Sequence, residues 1–281
     1  MTATVLDRRA TSVDEPVVDR RVVRRRLGPG RKIPFSLVLG PVLLVGLWFL
    51  ASATGWLDPR TLSQPWVVAG TAGDLIESGR LQDALRTSAV RAFSGLGIGI
   101  AAGTLLALVA GLSRLGESVI DGPIQIKRSI PTLALIPLLI LWLGINEEMK
   151  IVTIALAVML PVYIHTHNGL RSIDGRYAEL AETVDVSRLE FIRSVVLPGA
   201  MPGFLLGLRF AVTTALLSLV VVEQFNAIAG IGYLISLAQN YGQTDVIVVC
   251  LVVYALLGLA ADGTVRLIER RALAWRRTLG S

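Results

Sequence analysis

The residue types that do most enzyme chemistry are scarce in this chain, and their spacing excludes most of what remains. Cys250 is the only cysteine, so no internal disulfide can form, and with just two histidines, His165 and His167, there is little material for a Cys/His metal site. His165-Thr166-His167 has no carboxylate within a helical turn in sequence and reads as a packed or interfacial pair, with no metal expected. None of the three lysines, Lys32, Lys127 and Lys150, belongs to a G-x-x-x-x-G-K-[ST] pattern, so the chain cannot hydrolyse nucleotide through that loop. No nucleophile and base are spaced to act together.

Between two apolar runs lies an unusually polar stretch, from Arg171 to Pro198. Tyr177, Leu180, Ala181 and Val184 fall at i, i+3, i+4 and i+7, which predicts a short amphipathic helix, and Ser187 can cap a second helix through Glu190. Such a helix suits docking into a groove on another protein. It equally suits lying on its own bundle or at a lipid surface, and periodicity does not separate these. Two further charges sit where few are expected: Arg209 in the middle of an apolar run, and Glu223 at its end. Arg209 requires either a carbonyl or carboxylate partner in the protein or an anionic solute in passage. The uncharged but polar stretch from Glu223 to Asp245 contains Gly230, Gly232 and Tyr233, which predicts either a movable gate or a static cap over helix ends.

The elements that must carry these residues follow from composition. Of 281 residues, 53% are hydrophobic and 17% charged, and the mean hydropathy of +0.64 is that of a membrane protein. A helix needs roughly 20 apolar residues to cross a bilayer. Six windows qualify: 33–57, 92–113, 129–146, 151–170, 194–222 and 246–261. The expected fold is therefore all-α, a six-helix membrane domain over 33–275. Residues 1–32 would be a flexible basic cytoplasmic extension and 276–281 a cytoplasmic tail. Placing both termini in the cytoplasm puts twenty-one basic residues inside and five, among them Arg91 and Lys150, outside, as the positive-inside rule prefers. The same rule accounts for a net charge of +6 without nucleic acid. Ala51-Ser52-Ala53 resembles a signal-peptidase site, but the preceding apolar run is too long for a signal peptide and favours an uncleaved anchor.

Within the second window Gly95, Gly99, Gly103, Ala107 and Gly111 repeat every fourth residue and form a small-residue packing seam, for a helix of the same chain or of a second subunit. Pro131, Pro137, Pro161 and Pro202 punctuate the later windows.

The polar stretch resembles the EAA loop of the permease subunits of binding-protein-dependent ABC importers. Glu179-Leu180-Ala181 stands for Glu-Ala-Ala, Asp185 for the family glycine, Val195 for isoleucine and Leu197-Pro198 for Leu-Pro, with every interval kept. Asp185 is the departure that bears on geometry, although aspartate tolerates the left-handed backbone a glycine there would adopt. Arg128 to Gly144 and Gly230 to Ile235 resemble the nitrate, sulfonate and taurine branch. The resemblance spans about residues 60 to 275 and implies a type I importer permease in the inner membrane. Its partners would be two ATPase subunits, a second permease copy making a homodimer, an extracytoplasmic solute-binding protein and the lipid bilayer. ATP and Mg would sit on the ATPase, with no cofactor on this chain. The loop 171–196 would couple ATPase closure to the spans, and the solute would be a small anion such as an aliphatic sulfonate, taurine or nitrate. The rival reading is a secondary transporter or channel built on Arg209 and Glu223. A repeat between the two halves of the chain would favour it, and none is visible.

Overall fold

A computed structural model describes residues 36–274. The extension 1–32 and the tail 276–281 lie outside them. The chain divides into a unit ending at Gly46 and a unit that begins at Leu47. Among the described residues every regular element is helical. They are α1 (Ser36–Ala53), α2 (Pro65–Glu77), α3 (Arg80–Leu112), α4 (Arg114–Ser129), α5 (Ile136–Leu143), α6 (Glu147–Arg171), α7 (Arg176–Thr183), α8 (Arg188–Phe191), α9 (Leu197–Asn226), α10 (Ile231–Tyr241) and α11 (Thr244–Ala272).

Four helical stretches are long and apolar enough to cross a membrane: α3, α6, α11 and the continuous run Arg188–Phe225. A fifth arises if α4 and the segment Thr132–Leu143, bent by 89°, are one broken span, and Leu39–Ala53 is a shorter apolar helix. Six spans are reached only by counting both. The window 129–146, expected as one span bent by its prolines, is broken at Pro131. The proline ring disfavours helical geometry in the residue before it, and Ile130 accordingly is extended at φ −101°, ψ 119°. A 3-10 turn over Thr132–Leu135 follows, and Pro137 sits in the first turn of α5, where its missing N–H costs nothing. Lys127, expected as a loop charge, ties the bend together: its Nζ donates to Thr132 Oγ1 and to the Leu156 carbonyl, each at 2.8 Å.

The second unit is organised around α6. Its contact with α3 is the predicted small-residue seam, made within the chain. A methyl group added at Gly95 would lie 2.6 Å from Ile154 Cβ, at Gly99 2.6 Å from Val158 Cβ, at Gly103 2.6 Å from the Met159 carbonyl and at Gly111 2.6 Å from Leu170 Cδ1. Lipid already satisfies apolar surface, so close backbone approach and the dispersion contacts it permits hold such helices together. On the other side of α6, Gly169 faces Ala200 and Gly203, while Gly207 approaches Pro161. Ile154, Val158 and Val162 of α6 pack with Ala211, Ala215, Leu219 and Val222 of α9 to form the largest core cluster.

Candidate functional site

Among the described residues most of the candidate side chains fall at two places, the α7–α8 loop and the base of α10. At the loop, α7 forms as the periodicity predicts and leaves Tyr177, Leu180 and Val184 exposed, with Leu189 of α8 beside them. Leu180 is 60% and Leu189 67% solvent-accessible. The helix ends in a Schellman turn: Val186 N–H donates to the Ala181 carbonyl at 2.9 Å and Asp185 N–H to the Glu182 carbonyl at 3.2 Å. That turn requires a left-handed residue at its hinge, and Asp185 supplies it with φ +58°. Ser187 Oγ then accepts from Glu190 N–H at 3.3 Å and starts α8.

α8 does not stop where a loop was expected. It continues through a π-helical turn, Ile192–Val196, into α9. Val195 lies in that turn and Leu197-Pro198 opens α9. Proline cannot donate to the preceding turn and crowds its carbonyl, and a widened turn accommodates both effects. Arg188 anchors the loop by donating to the Leu112 carbonyl of α3 at 3.0 Å. At the loop's entry Arg176, through its guanidinium and its backbone N–H, holds the exposed Asp174 carboxyl below the ordinary aspartate range. Glu179 is exposed on α7.

The base of α10 is the opposite kind of site. Glu223, near the end of α9, is fully buried and its carboxylate is surrounded by donors. Ser88 Oγ lies 2.8 Å from both its oxygens, Arg91 Nη1 donates to Oε1 at 2.7 Å, and Gly232 N–H and Tyr254 Oη reach Oε2 at 2.9 and 3.2 Å. Arg91, 2% exposed, also donates to the Ala229 carbonyl at 2.6 Å and forks onto Glu147 at 2.5 and 2.7 Å. Lys150 Nζ completes the group 2.9 Å from Glu147. Two cations face two carboxylates, so the cluster is neutral as well as hydrogen-bonded, the condition for burying charge at tolerable cost. Ile231 N–H donates to Ser88 Oγ at 2.9 Å, which with Gly232 fixes the start of α10. Gly230 adopts φ +119°, and a methyl group there would collide with the Glu223 carboxylate. Gly230 and Gly232 are both small because Glu223 occupies the space beside them. Tyr233 follows, half-buried.

The structure therefore joins Glu223, Gly230 and Gly232 but places Arg209 elsewhere. Arg209 Nε meets Asp262 Oδ1 of α11 at 3.0 Å, and Arg266 takes the other oxygen at 2.7 Å. This pair lines one end of an apolar groove between α9 and α11, with Thr213, Leu216, Tyr254 and Gly258. His165 and His167, two residues apart on a helix, point away from each other: His165 stacks on Phe210 at 5.0 Å and His167 on Tyr163 at 5.4 Å between ring centroids.

Arg91, Ser88, Glu147 and Lys150 were not singled out from sequence. Arg91 and Lys150 were assigned to outer loops by charge, and the second span was started at Ala92. The helix begins at Arg80, however, and the seam continues upstream: Ala84, Ser88 and Arg91 are buried on the face that carries Gly95 and Gly99. Arg91 stands four residues before Gly95, and that register was the available signal. Likewise Gly199, Gly203 and Gly207 repeat the four-residue spacing on α9 and foretell its contact with α6.

Comparison with known proteins assigns the chain to one family. Residues 95–273 fit the family described as binding-protein-dependent transport system inner membrane component. The putative aliphatic sulfonates transport permease protein of Escherichia coli (strain K12) is 45% identical over 235 residues, covering 84% of this chain and 89% of that protein. The protein of the same description from Bacillus subtilis (strain 168) is 35% identical over 263 residues, covering 94% and 95%. The taurine transport system permease protein of Escherichia coli (strain K12) is 28% identical over 270 residues, covering 94% and 97%. Among solved structures, a chain of an amino acid ABC transporter crystallised with histidines superposes with a TM-score of 0.61 at 19% identity, covering 71% of this chain and 97% of that one, a likeness of fold. Family membership also removes the secondary-transporter alternative. The chain belongs to the inner-membrane components of binding-protein-dependent transport systems: it is a permease subunit of an ABC importer, and ATP is hydrolysed on a separate partner subunit.

Proposed function

We propose that this permease conducts an aliphatic sulfonate or a similar small organic anion, that its α7–α8 loop faces the cytoplasm and receives the ATPase, and that two copies pair to enclose the path, each with six spans and cytoplasmic termini. The observation that carries the coupling role is the exposed apolar row Tyr177, Leu180, Val184 and Leu189. These side chains stand on a segment too charged for lipid and too well formed by its own caps to be a slack linker. The solute class rests on the descriptions of the 45% and 35% identical relatives, with taurine and nitrate as competitors.

In this reading the Glu223 cluster at the base of α10 is the outer latch, which keeps the path closed until a loaded binding protein docks. Arg209 offers positive charge along the groove and is held in place by Asp262. Neither ATP nor Mg²⁺ is bound by this chain; both belong to the ATPase.

The test is uptake into vesicles containing permease, ATPase and binding protein. Ethanesulfonate should be accumulated in preference to taurine and nitrate, and Arg209→Gln should slow that uptake while assembly and basal ATP hydrolysis persist. Equal uptake by wild type and Arg209→Gln would remove the residue from the path. Preference for nitrate would overturn the solute class.

A further inference from the structure

α4 lies against α3 and α6, with Ile124 packed among Ala107, Ala110 and Tyr163. Beside this apolar contact is a cluster that neither the family match nor the transport reading accounts for. A Glu117 oxygen, an Asp121 oxygen and a ring nitrogen of His167 lie within 4.8 Å of one another. Glu117 and Asp121 are four residues apart on α4, hence on one face, and Tyr163 and His167 are four apart on the face of α6 opposite them.

Two features distinguish this group from an ordinary acidic surface. His167 is only 7% exposed, and its Nε2 is buried without any hydrogen-bond partner. Buried polar nitrogens are rarely left so, and an imidazole nitrogen lacking a donor or acceptor is available as a metal ligand. Each carboxylate, moreover, already has one oxygen held from outside the cluster: Tyr163 Oη donates to Asp121 Oδ1 at 2.5 Å, and Arg171 pairs with Glu117 Oε1. The second oxygens remain for a ligand, and outer-shell bonds of this kind orient metal-binding carboxylates. One guanidinium against two carboxylates also leaves a negative charge for a cation to balance.

We propose that Glu117, Asp121 and His167 bind one divalent cation, with zinc the best fit for one imidazole and two carboxylate oxygens, and that the ion clamps α4 to α6 beside the α7–α8 loop. A tetrahedral zinc site has ligand atoms about 3.3 Å apart, given bonds of about 2.0 to 2.2 Å. The three ligand atoms, within 4.8 Å of one another, would draw together to that spacing on binding. A water completes the coordination.

The test uses the full-length permease co-purified with its ATPase, stripped of metal and dialysed against micromolar zinc, with the ATPase alone measured in parallel. One zinc per permease chain is expected beyond that held by the ATPase. His167→Ala and Asp121→Asn should each weaken retention at least tenfold, while His165→Ala, whose ring stacks on Phe210, leaves it unchanged. X-ray absorption at the zinc edge of the wild type, which needs no variant to fold, should show one imidazole nitrogen with oxygens completing the shell. No stoichiometric zinc, zinc without an imidazole, or retention undiminished in His167→Ala would overturn the proposal.

Discussion

The base of α10 and the α7–α8 loop are made from opposite materials. At the base of α10, Ser88 and Arg91 of α3, the Gly232 N–H of α10 and Tyr254 of α11 converge on the buried Glu223 carboxylate of α9, and Arg91 links it to Glu147 of α6; partners such as Ser88 and Glu223 are 135 residues apart in the chain. At the loop, the shaping bonds are local: Val186 to Ala181, Asp185 to Glu182 and Glu190 to Ser187. One region is held by long-range charge pairing inside the protein. The other holds its own shape and presents apolar side chains outward. A latch must be stable until several helices shift together, whereas a docking surface must keep its form before its partner arrives.

If that contrast is right, the largest effect comes from breaking the buried network. Arg91→Met leaves Glu223 charged and buried without its main partner, a loss of about 3 to 5 kcal/mol. Thermal unfolding of the solubilised complex should fall accordingly, and an unchanged midpoint would show that the network carries little stability. Next is Gly230→Ala, which forces a side chain into a backbone region suited to glycine and toward the Glu223 carboxylate. It should cost about 1 to 3 kcal/mol, read in the same unfolding assay. At the loop, stability should barely respond. Glu179→Lys is expected to change it by less than about 0.5 kcal/mol, yet uptake should drop while ATP hydrolysis continues, because the charge of the docking face is reversed. Normal uptake at normal expression would remove Glu179 from that face. The smallest effect is Asp185→Gly, which relieves a left-handed non-glycine residue. It should be neutral or stabilise by up to about 1 kcal/mol with unchanged transport, and loss of assembly would reveal a specific contact made by the aspartate.

The contrast also explains what could be read from the chain. Much that is local is legible: the α7 face, the Ser187 cap and the small-residue seam of α3. The seam's partner was open until α6 was seen against it. Pro131 predicts a bend, and whether the bend becomes a kink or a break depends on what Lys127 and Leu156 offer nearby. Arg91 was misplaced because loop-charge statistics treat an arginine at a span's edge as solvent-facing. A buried cation is identified by its partner, and Glu147 and Glu223 are 56 and 132 residues away. The cluster of Glu117, Asp121 and His167 was hidden in the same way, its members being drawn from two helices that no local pattern connects.

The division of labour between the two ends is tested most directly by proximity to the ATPase. Leu180 on α7 and Tyr241 at the end of α10 are both exposed, at 60% and 73%, so a cysteine at either position disturbs little. In the assembled complex, Leu180→Cys should cross-link to the ATPase through a short thiol-to-amine reagent in high yield, and Tyr241→Cys should give none. Cross-linking of the ATPase to Tyr241→Cys, or its failure at Leu180→Cys in a complex that still hydrolyses ATP, would contradict the assignment of the α7–α8 loop as the coupling surface.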